Sequence, residues 1–234
     1  MNTHPVDVYD YIYSWKDYKK EAFVLRALLN QYGVPSNAAL LEVACGTGRY
    51  LEHFDNYNCI GIDLCQRSLE HAQLRLPKGV FLCENMVDFK LSSTVNVILC
   101  LFGAIGYLDP NQKRKQGLIN FYDHLPKGGL LILEPWVAPN DFESGIPFLQ
   151  TYQTANFKVA RTVVPYVEQG CCVLEFEFLL SRAGWKVERF SCVDKLWLHS
   201  HEDLESDLKM IGFEIVTKQI GFLNKSPLYV CRKV

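Results

Sequence analysis

The 234-residue sequence has no long hydrophobic run. Its longest, Val95 to Tyr107, is broken by Asn96 and several small residues, well short of the roughly 18 apolar residues that a membrane-spanning helix needs. It also lacks an excess of either charge. Lys and Arg number 24 and Asp and Glu 26, a formal charge of −2, which leaves no electrostatic footprint for nucleic acid. No C-x-x-C pair occurs among the nine cysteines, whose number is odd. Neither a disulfide framework nor a structural zinc site is therefore expected, and the cysteines read as reduced core residues acting as small hydrophobes. Met1 to Asp7 carry neither the basic stretch nor the apolar segment of a signal peptide, so the expected location is cytoplasmic. What remains, 49% hydrophobic and 21% charged, is the composition of a chain that buries a core.

Strand and helix signals alternate over the first two-thirds of the chain. Glu21 to Tyr32 carries a helical apolar stripe ended by Gly33 and Pro35. Ala39 to Ala44, Asn58 to Asp63, Val80 to Cys83, Val95 to Leu101 and Leu130 to Glu134 read as short buried strands. Helices are expected over Thr47 to Phe54, over Gln66 to Leu76, and from Asp109-Pro110 to Leu125. Near-continuous apolar strands separated by helices predict an α/β fold, a parallel sheet covered on both faces. After Pro135 the pattern turns β-rich, with Phe157 to Val164, Cys171 to Leu180 and Trp185 to Leu198 as strands. Ser200 and Asp203 then form a capping box for a helix ended by Gly212, before two last strands at Phe213 to Thr217 and Leu228 to Arg232. The expected organisation is one domain over 1–234, with N-terminal lid helices in 1–35 and a β-rich acceptor-side insertion over 137–198. Lys113-Arg114-Lys115 reads as a solvated helix face, and His199 and His201 as surface histidines.

The most informative segment is Glu42-Val43-Ala44-Cys45-Gly46-Thr47-Gly48, where the first strand runs into a glycine pair. In open α/β sheets the ligand crevice lies beyond the carboxyl ends of the strands, and glycine lets the backbone approach a ligand closely. A dinucleotide fold wants a third glycine where this sequence has Leu51, which disfavours a nicotinamide oxidoreductase. S-adenosylmethionine fits better. Glu42 and the loop backbone can hold its methionine end, Asp63 at the next strand end can accept both ribose hydroxyls, and Asn85 and Met86 fall where adenine would lie. No carboxylate occurs between Asp88 and Asp109, so no metal is expected at the fourth strand end. A cofactor-binding but catalytically silent protein remains the alternative.

These motifs, together with Glu84-Asn85-Met86 and Leu125 to Glu134, resemble those of class I S-adenosylmethionine-dependent methyltransferases. Val8-Tyr9-Asp10, Lys16-Asp17-Tyr18, Ile105-Gly106-Tyr107-Leu108 and Glu134-Pro135-Trp136 are similar to the nucleotide-aminosugar N-dimethyltransferases of macrolide-sugar pathways. The resemblance implies a Rossmann-like, seven-stranded, mostly parallel sheet with its final hairpin antiparallel. It also implies direct methyl transfer from S-adenosylmethionine, with S-adenosylhomocysteine as product. The implied acceptor is a small-molecule amine or hydroxyl, an aminodeoxy nucleotide sugar in the narrower reading, and a homodimer is the assembly it leaves open. It extends the cofactor set of Glu42, Gly46, Gly48, Asp63, Asn85 and Met86 to Tyr18, Ala44, Leu64 and Leu101. On the acceptor side it implies Tyr9, and His124 as a base near the mouth of the sheet. Three departures stand out: Ala44 where glycine is usual, Asn85 where aspartate is common, and no histidine shortly after Arg161.

Overall fold

A computed structural model describes residues 6–110, 112–223 and 226–234; the first five residues of the expected lid lie outside them. The chain runs α1 (Val6–Ile12), α2 (Tyr18–Gln31), β1 (Ala39–Val43), β2 (Asn58–Asp63), α3 (Gln66–Arg75), β3 (Val80–Cys83), β4 (Val97–Cys100), α4 (Lys113–Asp123) and β5 (Leu130–Leu133). It continues through β6 (Phe148–Gln153), β7 (Phe157–Val163), β8 (Tyr166–Glu168), β9 (Cys171–Arg182), β10 (Glu188–Trp197), α5 (His201–Ile211), β11 (Phe213–Ile220) and β12 (Pro227–Lys233).

The chain divides into two compact units. The larger spans Tyr18–Asp141 and Trp197–Val234, the smaller Met1–Asp17 and Phe142–Leu196. The expected lid over 1–35 is therefore cut: α1 belongs with the β-rich insertion, α2 with the α/β unit. The reason is burial. Val8 and Ile12 of α1 pack against Val159, Phe176 and Phe178 of the insertion, whereas Ala22, Leu25 and Leu29 of α2 join the α/β core with Leu40 and Leu99.

The larger unit holds a seven-stranded sheet in the order β11-β12-β5-β4-β1-β2-β3. β1 runs parallel to β2 and β4, β2 to β3, and β4 to β5, while β12 lies antiparallel to both β5 and β11. Leu41 faces Ile60 on one side and Ile98 on the other. Alternate strand residues feed two apolar layers, one with Leu40 and Leu99, the other with Leu41 and Ile98. This is the predicted α/β sheet with its antiparallel last hairpin. One helix is missing: Thr47 to Phe54 contains only a 3-10 turn, Leu51–His53, because β2 begins too soon after Gly48 for a helix and its return.

The smaller unit is an antiparallel sheet in the order β10-β9-β7-β6, with β8 on β9. It includes two strands, β6 and β8, that the sequence pattern does not reveal. Among the described residues no helix is long and apolar enough to cross a membrane.

Candidate active site

Parallel β1, β2 and β4 present their carboxyl ends on one edge, and the residues just beyond them form the candidate site. Ala44 follows β1 with φ +52°. This left-handed backbone explains why glycine suits the position, and it carries strain for alanine. The turn closes with Gly48 N–H donating to Cys45 O at 3.0 Å. Gly46 N–H donates to Asp63 Oδ2, and Cys65 N–H to Asp63 Oδ1, both at 2.8 Å. Asp63 thus fastens the glycine turn to the start of α3.

The two glycines have different tasks. A Cβ on Gly46 would meet nothing within 4 Å, whereas one on Gly48 would lie 3.0 Å from Ala72 Cβ of α3. Gly48 lets the helix pack; Gly46 leaves backbone facing open space.

Glu42, four residues into β1, is 3% exposed, and its Oε2 has no hydrogen-bond partner. Burial, reinforced by the negative charge of Asp63, pushes the Glu42 carboxyl well above the usual carboxylate range. Burial raises Asp63 too, against the lowering pull of the Cys65, Gly46 and Leu64 backbone N–H groups. Two desolvated carboxylates, one with a buried orphan oxygen, make a cradle suited to a cation with N–H donors. The ammonium end of S-adenosylmethionine meets that requirement, so the residues present fit this cofactor.

The other expected contacts fall at various depths. Leu101 is buried after β4, Met86 is half-buried, and Leu64 is exposed. Asn85 Oδ1 accepts from Val87 N–H at 3.1 Å, within its own turn. Tyr18, buried at the start of α2, meets Tyr50 edge-on at 5.0 Å, with the Arg49 guanidinium 5.0 Å from its ring centroid. Tyr50 donates to Glu21 Oε2 at 2.5 Å, a contact that ties α2 to the glycine loop and that sequence reasoning missed.

Glu134 was read only as part of a motif. Fully buried after β5, it accepts from Phe102 N–H (2.9 Å) on Oε2, and from Phe222 and Leu223 N–H (2.5 and 2.8 Å) on Oε1. It braces the loop after β4, where Phe102 has φ +54°, against the β11–β12 hairpin.

His124 requires a correction. It precedes β5, and its carbonyl accepts from Val95 N–H just ahead of β4, so it sits at the amino ends of these strands, opposite the glycine loop. Its Nδ1 donates to Asn120 O at 2.8 Å and its Nε2 accepts from Leu91 N–H at 3.3 Å. The ring packs on Phe89 at 4.4 Å. With both nitrogens engaged and the ring buried, His124 is a helix-end residue and is not placed to take an acceptor proton. Tyr9 lies on α1 in the smaller unit, half-buried, with its ring 4.6 Å from that of Tyr13.

The solvated-face reading of Arg114 and the surface reading of His199 are also overturned. Arg114 is buried and donates to Asp207 Oδ2 and to His199 Nδ1. His199, likewise buried, donates from Nε2 to Ile105 O at 3.3 Å. Seven of the nine cysteines are buried. Among the described residues no group of three or more His, Cys, Asp or Glu is gathered to hold a metal.

Comparison with known proteins identifies the family. A methyltransferase-domain profile matches residues 40–129, the stretch from β1 to the start of β5. The chain is 30% identical over 213 residues to a dTDP-3-amino-3,4,6-trideoxy-alpha-D-glucopyranose N,N-dimethyltransferase from Streptomyces venezuelae, covering 89% of this chain and 90% of the relative. The crystal structure of DesVI from the same organism superposes with a TM-score of 0.90 at 28% identity, over 100% of both chains. SAM-bound CalS10, an amino pentose methyltransferase from Micromonospora echinaspora, gives 0.83 at 27% identity over 94% of this chain and 92% of that one. The chain belongs to the class I S-adenosylmethionine-dependent methyltransferases and transfers methyl groups from that cofactor.

Proposed function

We propose that the chain methylates the amino group of an aminodeoxy sugar carried on a nucleoside diphosphate. The observation that carries this reading is the near full-length similarity to an enzyme named for N,N-dimethylation of a dTDP-aminosugar. A second such relative, from Streptomyces fradiae, is 28% identical over 89% of this chain.

In this reading Glu42 and the Gly46 backbone hold the amino-acid end of the cofactor, and Asp63 holds its ribose hydroxyls. Ala44 and Gly48 shape the turn, Tyr18 closes over it, and Leu64, Asn85, Met86 and Leu101 border the adenosine. When bound, the cofactor supplies an electrophilic methyl on a sulfonium. The protein has to align the acceptor nitrogen with that methyl, exclude water and receive the amine in its unprotonated form. Tyr9 is assigned to the acceptor side, where a ring face meets positive charge favourably. With His124 engaged elsewhere, the amine proton is assigned to solvent. The enzyme is read as cytoplasmic and homodimeric, with a small-molecule acceptor rather than a nucleic acid, in keeping with its net charge of −2.

The test is turnover: S-adenosylhomocysteine release with dTDP-3-amino and dTDP-4-amino sugars, with methyl count by mass spectrometry. Mono- and dimethylated product is the expected result. No turnover of either sugar, beside methylation of an unrelated hydroxyl acceptor, would overturn the assignment.

A further inference from the structure

Within the smaller unit, the alternation of β7 points Val159, Arg161 and Val163 to the same buried face. An arginine at such a position is unusual, because taking a cation out of water carries a desolvation penalty. Arg161 is 5% exposed. Its guanidinium lies 4.9 Å from the Tyr13 ring centroid and 4.5 Å from that of Phe176. Nη1 donates to Tyr13 Oη at 3.0 Å, Nη2 donates to Gln150 Oε1 at 2.6 Å, and Nε has no hydrogen-bond partner. The cation is shared among Phe176, Gln150 and Tyr13, and Tyr13 alone receives both kinds of contact, a ring face and a bonded hydroxyl. Tyr13 follows α1 directly, its N–H donates to Tyr9 O at 3.1 Å, and its ring packs on that of Tyr9.

We infer that Arg161 is a positioning residue that sets Tyr9 by way of Tyr13. The inference rests on the reading of Tyr9 as an acceptor-side residue. A guanidinium between two rings defines direction as well as distance, since it must present a face to the rings and an edge to the hydroxyl at once. Apolar packing of Val8 and Ile12 and the Tyr11 ring on Tyr152 and Phe157 hold α1 on the sheet. The Arg161–Tyr13 contact anchors the C-terminal end of the helix, and the Tyr9 ring one helical turn earlier, packed on Tyr13, is set by it.

The experiment combines kinetics with a dTDP-aminosugar and hydrogen exchange of α1. Arg161→Lys keeps the charge and loses the fork, Arg161→Met keeps length alone, and Tyr13→Phe deletes the hydroxyl. Each is expected to lower kcat by about tenfold to 10²-fold, the range for a displaced contact near the chemistry, while S-adenosylhomocysteine affinity stays within twofold. In a Tyr9→Ala background the Arg161 substitutions should have no further effect on kcat. Exchange of the amides at 8–13 should rise in Arg161→Met, with β9 amides unchanged. Wild-type kcat and wild-type α1 exchange in the Arg161 variants would overturn the inference, as would an undiminished loss in the Tyr9→Ala background. A neutral Tyr9→Ala beside a damaging Arg161→Lys would instead remove Tyr9 from the acceptor site and overturn the proposal at that link. If the wild type does not turn over the aminosugar, the substrate assignment fails, and the exchange result still decides whether Arg161 fixes α1. If Arg161→Met fails to fold, Arg161→Lys and Tyr13→Phe carry both measurements.

Discussion

Gly46 donates its backbone N–H to Asp63 Oδ2 at 2.8 Å, so the carboxylate at the end of β2 holds the turn that follows β1. Asp63 therefore has two tasks in the proposed complex, loop brace and ribose acceptor. Asp63→Ala removes charged hydrogen bonds of roughly 1.5–3 kcal/mol each, and cofactor affinity should fall at least tenfold by calorimetry with S-adenosylhomocysteine. Unchanged affinity would remove Asp63 from the ribose site.

Glu42 predicts a conflict between stability and binding. Its carboxyl pKa is raised in the fold, so its contribution to stability is fully present below the unfolded value of about 4.3. That contribution is lost as pH rises through the raised folded value. Glu42→Gln removes the loss. The ligand-free variant should melt higher at neutral pH, by roughly 2–4 °C per kcal/mol relieved, and show no gain near pH 4. The same change should weaken cofactor binding roughly tenfold, because a charged partner for the ammonium is gone. A cation also lowers the Glu42 pKa, so wild-type affinity should rise with pH up to the raised value of the free protein. Calorimetry in buffers of different ionisation enthalpy would show the released proton.

His199 gives an acid-side prediction of opposite sign. Burial, then the Arg114 charge, lowers its pKa to about 4. Arg114 can only donate, so Nδ1 must accept and the ring is held neutral. Stability should be complete above the unfolded value of about 6.5 and decline as pH falls towards 4. His199→Gln can still accept from Arg114 and donate to Ile105 O, and its melting temperature should be flatter over that interval. A wild-type curve that is already flat would contradict the neutral ring.

For His124 the expected outcome is structural. His124→Ala leaves the Leu91 N–H and the Asn120 carbonyl without their ring partners and should lose about 1–3 kcal/mol of stability. Turnover at a temperature where the variant is folded should stay near wild type, far from the roughly 10²–10⁴-fold loss of a general base.

The sheet was legible where short apolar runs are punctuated by turn formers, even at the exposed edge strand β3. Asn58–Asp63 and Val80–Cys83 match the sequence expectation residue for residue, because apolar runs there are bounded by turn formers. Phe148–Gln153 was not legible, since Phe148 and Leu149 are both exposed and the run has no period-two pattern. Arg114 was misread because its partner Asp207 lies 93 residues away, and a local charge run says nothing of that. His124 could have been placed correctly. A residue between a helix and the next parallel strand lies at the amino edge of the sheet, away from the ligand crevice, and here motif similarity outweighed that rule. The places of Glu42 in β1, of Asp63 at the end of β2 and of the glycine turn after β1 were legible because apolar strands there run directly into turn formers.

The single carboxylate of Glu134 has a consequence for how the larger unit opens. Phe102 and the Phe222-Leu223 pair are remote in sequence, yet both loops end on the same carboxyl group, one loop at each oxygen. Neither can swing away without taking donors from a fully buried carboxyl group, so the loop after β4 and the β11–β12 hairpin should release together. A substitution in the hairpin that loosens its backbone would then be felt at Phe102 as fully as one made beside it. The molecule treats the two segments as one latch.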